Sequence, residues 1–300
     1  MYTVTLQPSG RQFQVDEQEA VLDAGLRQGV PLPYSCRGGS CGSCAATVLQ
    51  GELSYPDGEP MGLAPYDKEQ GRAFLCQAVA HSDLLLDAPH LGTEQELEIK
   101  TLPVRVEKLR KLNADVMEMT LKLPATERLR FKAGQYIDIL WRGGKRRGFS
   151  LANAPFNDQY LELHIRHVPG GQFTDHVFEH MKEKALLRIE GPLGSFYIHE
   201  SERPLILIGG GTGFAPLKGM LEQMKEQGME RPVRLYWGVR AKDDLYMDVL
   251  VRDWASRYDW LDYVPVLSEP KPEDLGKAAL AGCMMPCWLI LTICRLTTFI

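Results

Sequence analysis

No cysteine lies between residues 77 and 282, and the seven present are split four and three between the two ends of the chain. An odd count without secretory features argues against a disulfide framework and leaves a metal or cluster as the better use for the thiols. There is no basic excess either. Lys and Arg number 34 against 39 Asp and Glu, a net charge of −5, and a cluster such as Lys145–Arg147 is too short to line a polyanion groove. Nucleic acid is thereby excluded as a partner. The opening "MYTVTLQPSGRQFQV" alternates like a strand and lacks the charged-then-apolar layout of a leader, which predicts a cytoplasmic protein. The apolar stretch from Cys283 to Cys294 has 12 residues, short of the roughly 20 that a membrane span needs. What remains is a globular composition, 44% hydrophobic and 24% charged, and 300 residues allow two or three domains with a core each.

The first chemistry appears in "CRGGSCGSC". Cys36, Cys41 and Cys44 are spaced C-x4-C-x2-C, and Cys76 in "AFLCQA" offers a fourth thiolate. That is the plant-type spacing for a [2Fe-2S] cluster. Gly38, Gly39 and Gly42 allow positive φ and bring backbone N–H groups towards sulfide, while Ser40 and Ser43 add donors. Zinc also takes four thiolates, usually from paired C-x2-C hooks, and only one hook exists here. Residues 1–92 read as strand, turn, strand, a helix from about Asp16 to Gln28, the cysteine loop and further strands. The order resembles the β-grasp fold of plant-type ferredoxins, with 93–100 as linker.

Residues 101–200 change texture to alternating runs such as "GQYIDILW" and "YLELHIRHV". Strict alternation predicts half-buried strands in an antiparallel sheet or barrel. Within them Arg147, Phe149 and Ser150 form R-x-F-S, and Gly171 and Thr174 form G-x-x-T. Both motifs resemble those of the ferredoxin-NADP reductase superfamily. The resemblance implies FAD: a guanidinium for pyrophosphate, a ring against isoalloxazine, the Ser150 hydroxyl near flavin N5 as the candidate catalytic group, and a helix N-terminus under pyrophosphate. A second pyrophosphate motif suits a dinucleotide better than FMN. His164, Ile165 and Arg166 line the flavin by the same resemblance, although a plain structural role suits His164 at least as well.

From residue 201 to 275 a buried strand leads into "GGGTGFAP", Gly209, Gly210, Gly211, Thr212 and Gly213 through Pro216, and then a helix. A glycine run between strand and helix is a phosphate cradle. The string resembles the nicotinamide-binding motif of the same superfamily and implies a parallel α/β domain with ligand at the carboxyl ends of its strands. "RLYWGVR" gives a second strand, "DLYM" begins the next helix, and "YVPVLSEP" ends a third strand at Ser268 and Glu269. Arg240 suits a 2'-phosphate, but Asp243 and Asp244 beside it favour NADH over NADPH; a solvated loop charge is the simpler reading of Arg240.

Taken in order, a ferredoxin module, a flavin barrel and a nicotinamide domain resemble flavin-dependent iron–sulfur reductases. "LPYSCRGGSCGSC", "LELHIRHVPGGQFTDHVF" and "EGPLGSF" are most similar to the CDP-6-deoxy-Δ3,4-glucoseen reductase family. The resemblance implies electron flow from NADH through FAD and [2Fe-2S] to a pyridoxamine-phosphate-dependent dehydrase of 3,6-dideoxyhexose formation. Reductase components of ring-hydroxylating dioxygenases and multicomponent monooxygenases share the module order, so an oxygenase partner stays open. A third possibility is an electron carrier without nicotinamide activity.

Residues 276–300 depart from that family pattern, which continues with G-R-T-G-x-V-H. Cys283, Cys287 and Cys294 lack a fourth ligand nearby and any glycine chemistry around them. Codons chosen to encode this tail, read from their third base, spell QGRTGWVHDAVLADFDDLSAYDVY. The expectation is a shifted reading frame, an incomplete nicotinamide domain that binds its ligand poorly, and an aggregation-prone tail. Sequencing the coding DNA past codon 275 tests it.

Overall fold

A computed structural model of the chain describes residues 1–88, 97–156, 159–271 and 274. They fall into two compact units, one drawn from Met1–Glu96 with Gly194–Phe196, the other from Leu97–Leu193 with Tyr197–Ile300. The tail expected at 276–300 and residues 93–96 of the linker expected at 93–100 lie outside the described residues, whereas Lys100 already belongs to a strand.

In the first unit β1 (Tyr2–Gln7) and β2 (Gln12–Val15) form an antiparallel hairpin, as their alternation predicts. Helix α1 (Val21–Arg27), β3 (Ala45–Gln50), β4 (Leu53–Ser54), α2 (Pro65–Glu69), β5 (Arg72–Phe74), β6 (Val79–Ala80) and β7 (Leu84–Asp87) follow. The main sheet runs β2-β1-β7-β3-β5, with β1 and β7 parallel, while β4 and β6 pair separately. This is the mixed sheet expected of a β-grasp fold. Its core gathers Phe13, Val15, Leu22, Leu32, Leu75 and Leu86, each contributing about 1.5–3 kcal/mol by leaving water.

Helix α1 starts at Val21, later than the Asp16 expected. The Glu19 N–H donates to the Asp16 carbonyl at 3.1 Å and closes a turn, and Ala20 is extended and bridged to Val79. Backbone committed to that bridge cannot also wind into the helix.

The second unit opens with six antiparallel strands: β8 (Lys100–Lys111), β9 (Val116–Lys122), β10 (Tyr136–Leu140), β11 (Arg146–Ser150), β12 (Tyr160–Arg166) and, after helix α3 (Gln172–Glu179), β13 (Leu186–Leu193). Their order is β11-β10-β13-β8-β9-β12. Among the described residues the outer strands β11 and β12 meet only near a single bridge between Leu151 and Leu163, so the expected barrel stays open. Beside the bridge the Ala152 N–H donates to the Glu162 carbonyl at 2.7 Å, and the Asn153 side chain extends the contact, Oδ1 accepting from the Glu162 N–H at 2.9 Å and Nδ2 donating to the Tyr160 carbonyl at 3.0 Å. Period-2 alternation still sorts the faces, and Ile137, Ile139, Leu161, Leu163 and Ile165 fill the interior.

The rest of this unit is a parallel sheet ordered β14-β15-β16, built from β14 (Leu205–Gly210), β15 (Val233–Val239) and β16 (Leu261–Leu267). Helices α4 (Phe214–Glu226) and α5 (Asp248–Arg257) are the crossovers. Leu207, Leu217, Leu235, Trp237 and Val251 share their core. Leu245 and Tyr246 of "DLYM" precede α5 rather than open it, since both turn inward to this core. On the other face of β14, Ile206 and Ile208 stand 66% and 44% exposed.

Candidate functional site

The cysteine loop is held by close backbone approach. Gly39 has φ +71°, and a Cβ there would sit 2.2 Å from Gln77 Oε1 and 2.9 Å from Pro60 Cβ. Gly62 donates its N–H to the Gly39 carbonyl at 2.9 Å, and Leu75 donates to the Cys44 carbonyl at 3.2 Å, which ties Cys76 to the loop. Ser40 donates its N–H to Cys36 Sγ at 3.4 Å, and the Cys41 thiol lies 3.3 Å from Ser43 Oγ. Cys44 and Cys76 are buried while Cys36 and Cys41 reach the surface.

The four thiols interact as two pairs. A hydrogen bond from Cys41 lowers the Cys36 pKa to about 4, and one from Cys76 lowers that of Cys44. Cys41 and Cys76 are pushed up in return, first by those same bonds. Thiolates, not thiols, are metal ligands, and the lowering at Cys36 and Cys44 favours that form in each pair. Two sulfur pairs, three thiols on the glycine-rich loop and Cys76 in the turn after β5, fit a centre of two irons. The donor set offers no imidazole or carboxylate and no second C-x2-C hook.

In the second unit β11 presents its two arginines differently. Arg146 is ion-paired with Glu190 and lies 3.6 Å from Asp138, whereas Arg147 donates only to the Arg146 carbonyl at 2.8 Å and has no carboxylate partner among the described residues. Phe149 packs 5.5 Å from Phe173, and Lys145 reaches Gln172 Oε1 at 3.1 Å. The R-x-F-S strand and the first turn of α3 are thus neighbours. At that turn Thr174 Oγ1 accepts from the Val168 N–H at 3.2 Å, and a Cβ on Gly171 would collide with Thr174 Oγ1 at 2.6 Å.

Strand β12 divides the next three predicted residues. Ile165 points into the sheet core with no exposure. His164 is also buried, with Nε2 2.9 Å from Glu162 Oε1 and Nδ1 3.0 Å from the Tyr246 hydroxyl. Only the Arg166 side chain reaches a ligand-sized space.

That space is a crevice of about 250 Å³ beyond the carboxyl ends of the parallel strands, bordered by Arg166, Gly211, Thr212, Arg240, Ser268 and Glu269. Gly209 admits no side chain, since a Cβ would lie 2.9 Å from the Gly213 carbonyl oxygen, and Gly211 has φ +50°. The Gly211 carbonyl accepts from Trp237 Nε1 at 3.0 Å, and Trp237 stacks on Phe214 at 4.0 Å, so the turn is braced from beneath. Gly210 ends β14, and Pro216 is buried in the first turn of α4. Arg240 donates to both carboxylate oxygens of Asp244, at 3.0 and 3.3 Å, and to Asp115 at 3.3 Å; Asp243 pairs with Lys271 instead.

Sequence reasoning missed Lys218, Gly219, Glu222, Glu162 and Tyr246. The one visible signal is the i,i+4 pair of Lys218 and Glu222 on a helix. Glu118, Glu162 and His164 bring three potential ligand atoms within 4.8 Å of one another. Arg110 and Lys218 already balance the two carboxylates, which makes this an ion-pair network. Burial favours the neutral acid of Glu162, but the His164 hydrogen bond and the Lys218 charge outweigh it and hold the carboxyl below its ordinary range.

Three family models match in chain order: a 2Fe-2S iron-sulfur cluster binding domain over residues 4–81, an oxidoreductase FAD-binding domain over 103–198 and an oxidoreductase NAD-binding domain over 207–281. The chain belongs to the NAD(P)H-dependent flavin and iron–sulfur oxidoreductases that join these modules in one polypeptide. Its modules take a [2Fe-2S] cluster, FAD and NAD(P)H. Among particular relatives it is 37% identical over 265 residues, 88% of this chain and 79% of the other, to CDP-6-deoxy-L-threo-D-glycero-4-hexulose-3-dehydrase reductase of Yersinia pestis. It is 34% identical over 252 residues, 84% of this chain and 74% of the other, to reductase component 1 of terephthalate 1,2-dioxygenase from a Comamonas species. An Amycolatopsis cytochrome P450 reductase of known structure matches with a TM-score of 0.67 at 34% identity, over 91% of this chain and 83% of that one. Among the described residues no helix is long and apolar enough to cross a membrane.

Proposed function

We propose that this reductase takes hydride from NADH and delivers electrons one at a time to the dehydrase of CDP-3,6-dideoxyhexose synthesis. NADH supplies an electron pair, FAD divides it, and the cluster carries single electrons. The protein's own part is to hold these groups. Cys36, Cys41, Cys44 and Cys76 ligate the irons. Arg147 and the Gly171–Thr174 turn take the flavin pyrophosphate, Phe149 flanks the ring, and Ser150 offers its hydroxyl at N5. The backbone of His164 and Ile165 and the side chain of Arg166 border the flavin. The turn from Gly209 to Gly213, followed by Pro216, takes the nicotinamide dinucleotide.

The observation that carries this reading is a set of four thiols, three on one loop and Cys76 in the turn after β5, sharing one chain with a flavin-strand arginine that has no carboxylate partner among the described residues and with a glycine-lined crevice. The choice of acceptor rests on the Yersinia relative, and the Comamonas relative supports an oxygenase component as the second reading. The expected result for purified protein is a spectrum with flavin and iron–sulfur bands. NADH-driven reduction of ferricyanide tests the flavin route and that of cytochrome c the cluster route, and normal turnover with either would refute the poor nicotinamide binding expected from the sequence. Adding purified dehydrase or oxygenase component separates the two acceptors. A colourless protein, or iron without flavin, sinks the relay, and ferricyanide activity absent beside both bands leaves a carrier without nicotinamide function.

NADH is favoured because Arg240 is already held by Asp244 and Asp115. Asp244→Asn removes the charge of the nearer partner and should free the guanidinium for a 2'-phosphate. One charge-assisted hydrogen bond is worth about 1.5–3 kcal/mol, so the kcat/KM ratio of NADPH to NADH should rise about 10- to 100-fold. An unchanged ratio removes Arg240 from cofactor selection.

A further inference from the structure

Two residues past Pro216, a lysine lies almost wholly inside the second unit. Lys218 is 5% exposed, and its ammonium donates to the Ala152 carbonyl at 3.1 Å, Glu162 Oε2 at 3.2 Å and Glu222 Oε1 at 2.7 Å. Glu222 accepts in turn from the Ala154 N–H at 3.2 Å. Gly219 lets the α4 backbone lie directly on the same segment, for a Cβ would fall 2.9 Å from the Asn153 carbonyl oxygen and 3.3 Å from that of Leu151. Three successive features of α4 therefore grip residues 151–154, the stretch that leaves β11 straight after Ser150.

The grip extends to the glycine turn. Glu162 meets His164, His164 meets the Tyr246 hydroxyl, and the Tyr246 ring stands edge-on to Trp237 at 5.0 Å. Trp237 donates to the Gly211 carbonyl. Stability alone gives no reason for this arrangement, since a buried ion cluster is commonly matched or bettered by an apolar packing of equal volume. A directional charged network instead fixes one geometry where an apolar contact tolerates several.

We propose that Lys218, with Glu162, Glu222 and the bare Gly219, is a positioning device that sets the Ser150 segment against the nicotinamide glycine turn and so fixes the approach of hydride donor to flavin. It rests on the assignment of Ser150 to flavin and of Gly209–Gly213 to nicotinamide. Lys218 acts through the segments it holds and touches neither reacting group.

The test compares full-length wild type with Lys218→Met and with a triple variant, Lys218→Met, Glu162→Gln, Glu222→Gln, which leaves no unpaired buried charge. Three quantities are read: hydrogen exchange at the Ala152 and Ala154 amides in flavin-free protein, the kcat and KM for NADH with ferricyanide, and cytochrome c reduction after photochemical reduction of the flavin. A displacement of about 1 Å costs on the order of 100-fold in rate, so kcat should fall by about that factor in both variants while KM stays within about twofold. Exchange at both amides should quicken, and the photochemical route should stay unchanged. If Lys218→Met does not fold, the triple variant gives the same comparison. Unchanged exchange, wild-type kcat in a folded variant, or a defect in KM alone overturns the proposal. Faster exchange in a protein whose wild type NADH cannot reduce locates the failure in the functional reading instead.

Discussion

Replacing Cys76 by serine is expected to bring NADH-driven cytochrome c reduction to background while ferricyanide reduction continues. Cys76 sits in the turn after β5, 9% exposed, and its hydrogen bond lowers the Cys44 pKa. A serine hydroxyl fills nearly the same volume but stays protonated at neutral pH, so the second sulfur pair ceases to be a dithiol ligand. The backbone bonds of the turn, Leu75 to Cys44 and Leu22 to Leu75, use no cysteine side chain and should survive. The first unit should therefore fold with its Phe13, Leu32 and Leu86 core intact. Iron content and the visible spectrum report cluster loss, and the two acceptors report whether the flavin route is spared. An iron-replete Cys76→Ser protein with undiminished cytochrome c activity would falsify the ligand assignment. Equal loss with both acceptors would instead mean that the flavin route depends on the cluster's integrity.

The features legible in the sequence are those whose cause is local. The C-x4-C-x2-C run, the glycine turn after β14 and period-2 alternation each place their chemistry within a few residues. What escaped depends on distant partners. Lys218 reads as an ordinary helix-surface lysine until Ala152 and Glu162, 66 and 56 residues away, close around it. Sheet closure escaped for the same reason, since how far β11 and β12 pair beyond the Leu151–Leu163 bridge is settled between the two strands and not within either. The late start of α1 is set by a bridge from Ala20 to Val79, which no helical pattern contains. Alternation also holds a finer lesson. His164, Ile165 and Arg166 are adjacent letters, yet their strand sends Ile165 to the core, His164 to an internal hydrogen bond and Arg166 to the crevice.

The same alternation separates two neighbouring arginines and yields a paired prediction. Arg147→Ala should strip FAD from the protein, and Arg146→Ala should leave it bound. On β11 the two side chains leave opposite faces. Arg146 is consumed by Glu190 and Asp138, so its charge is already spent within the sheet. Its side chain is 49% exposed, and losing an ion pair of that kind costs on the order of 1 kcal/mol of stability with no direct effect on a ligand. Among the described residues Arg147 has only the Arg146 carbonyl as acceptor, which leaves the rest of its donor fork for an anion. Two charge-assisted bonds to pyrophosphate, at about 1.5–3 kcal/mol each, correspond to roughly 10²–10⁴ in affinity. Gel-filtered Arg147→Ala should therefore be colourless in the flavin bands yet retain its iron, since the cluster loop belongs to the other unit. The ratio of flavin to cluster absorbance and a titration with free FAD measure both variants. If Arg147→Ala retains FAD as wild type does, the pyrophosphate is held elsewhere. Loss from Arg146→Ala as well would mean that the whole strand, and not one guanidinium, had been disturbed.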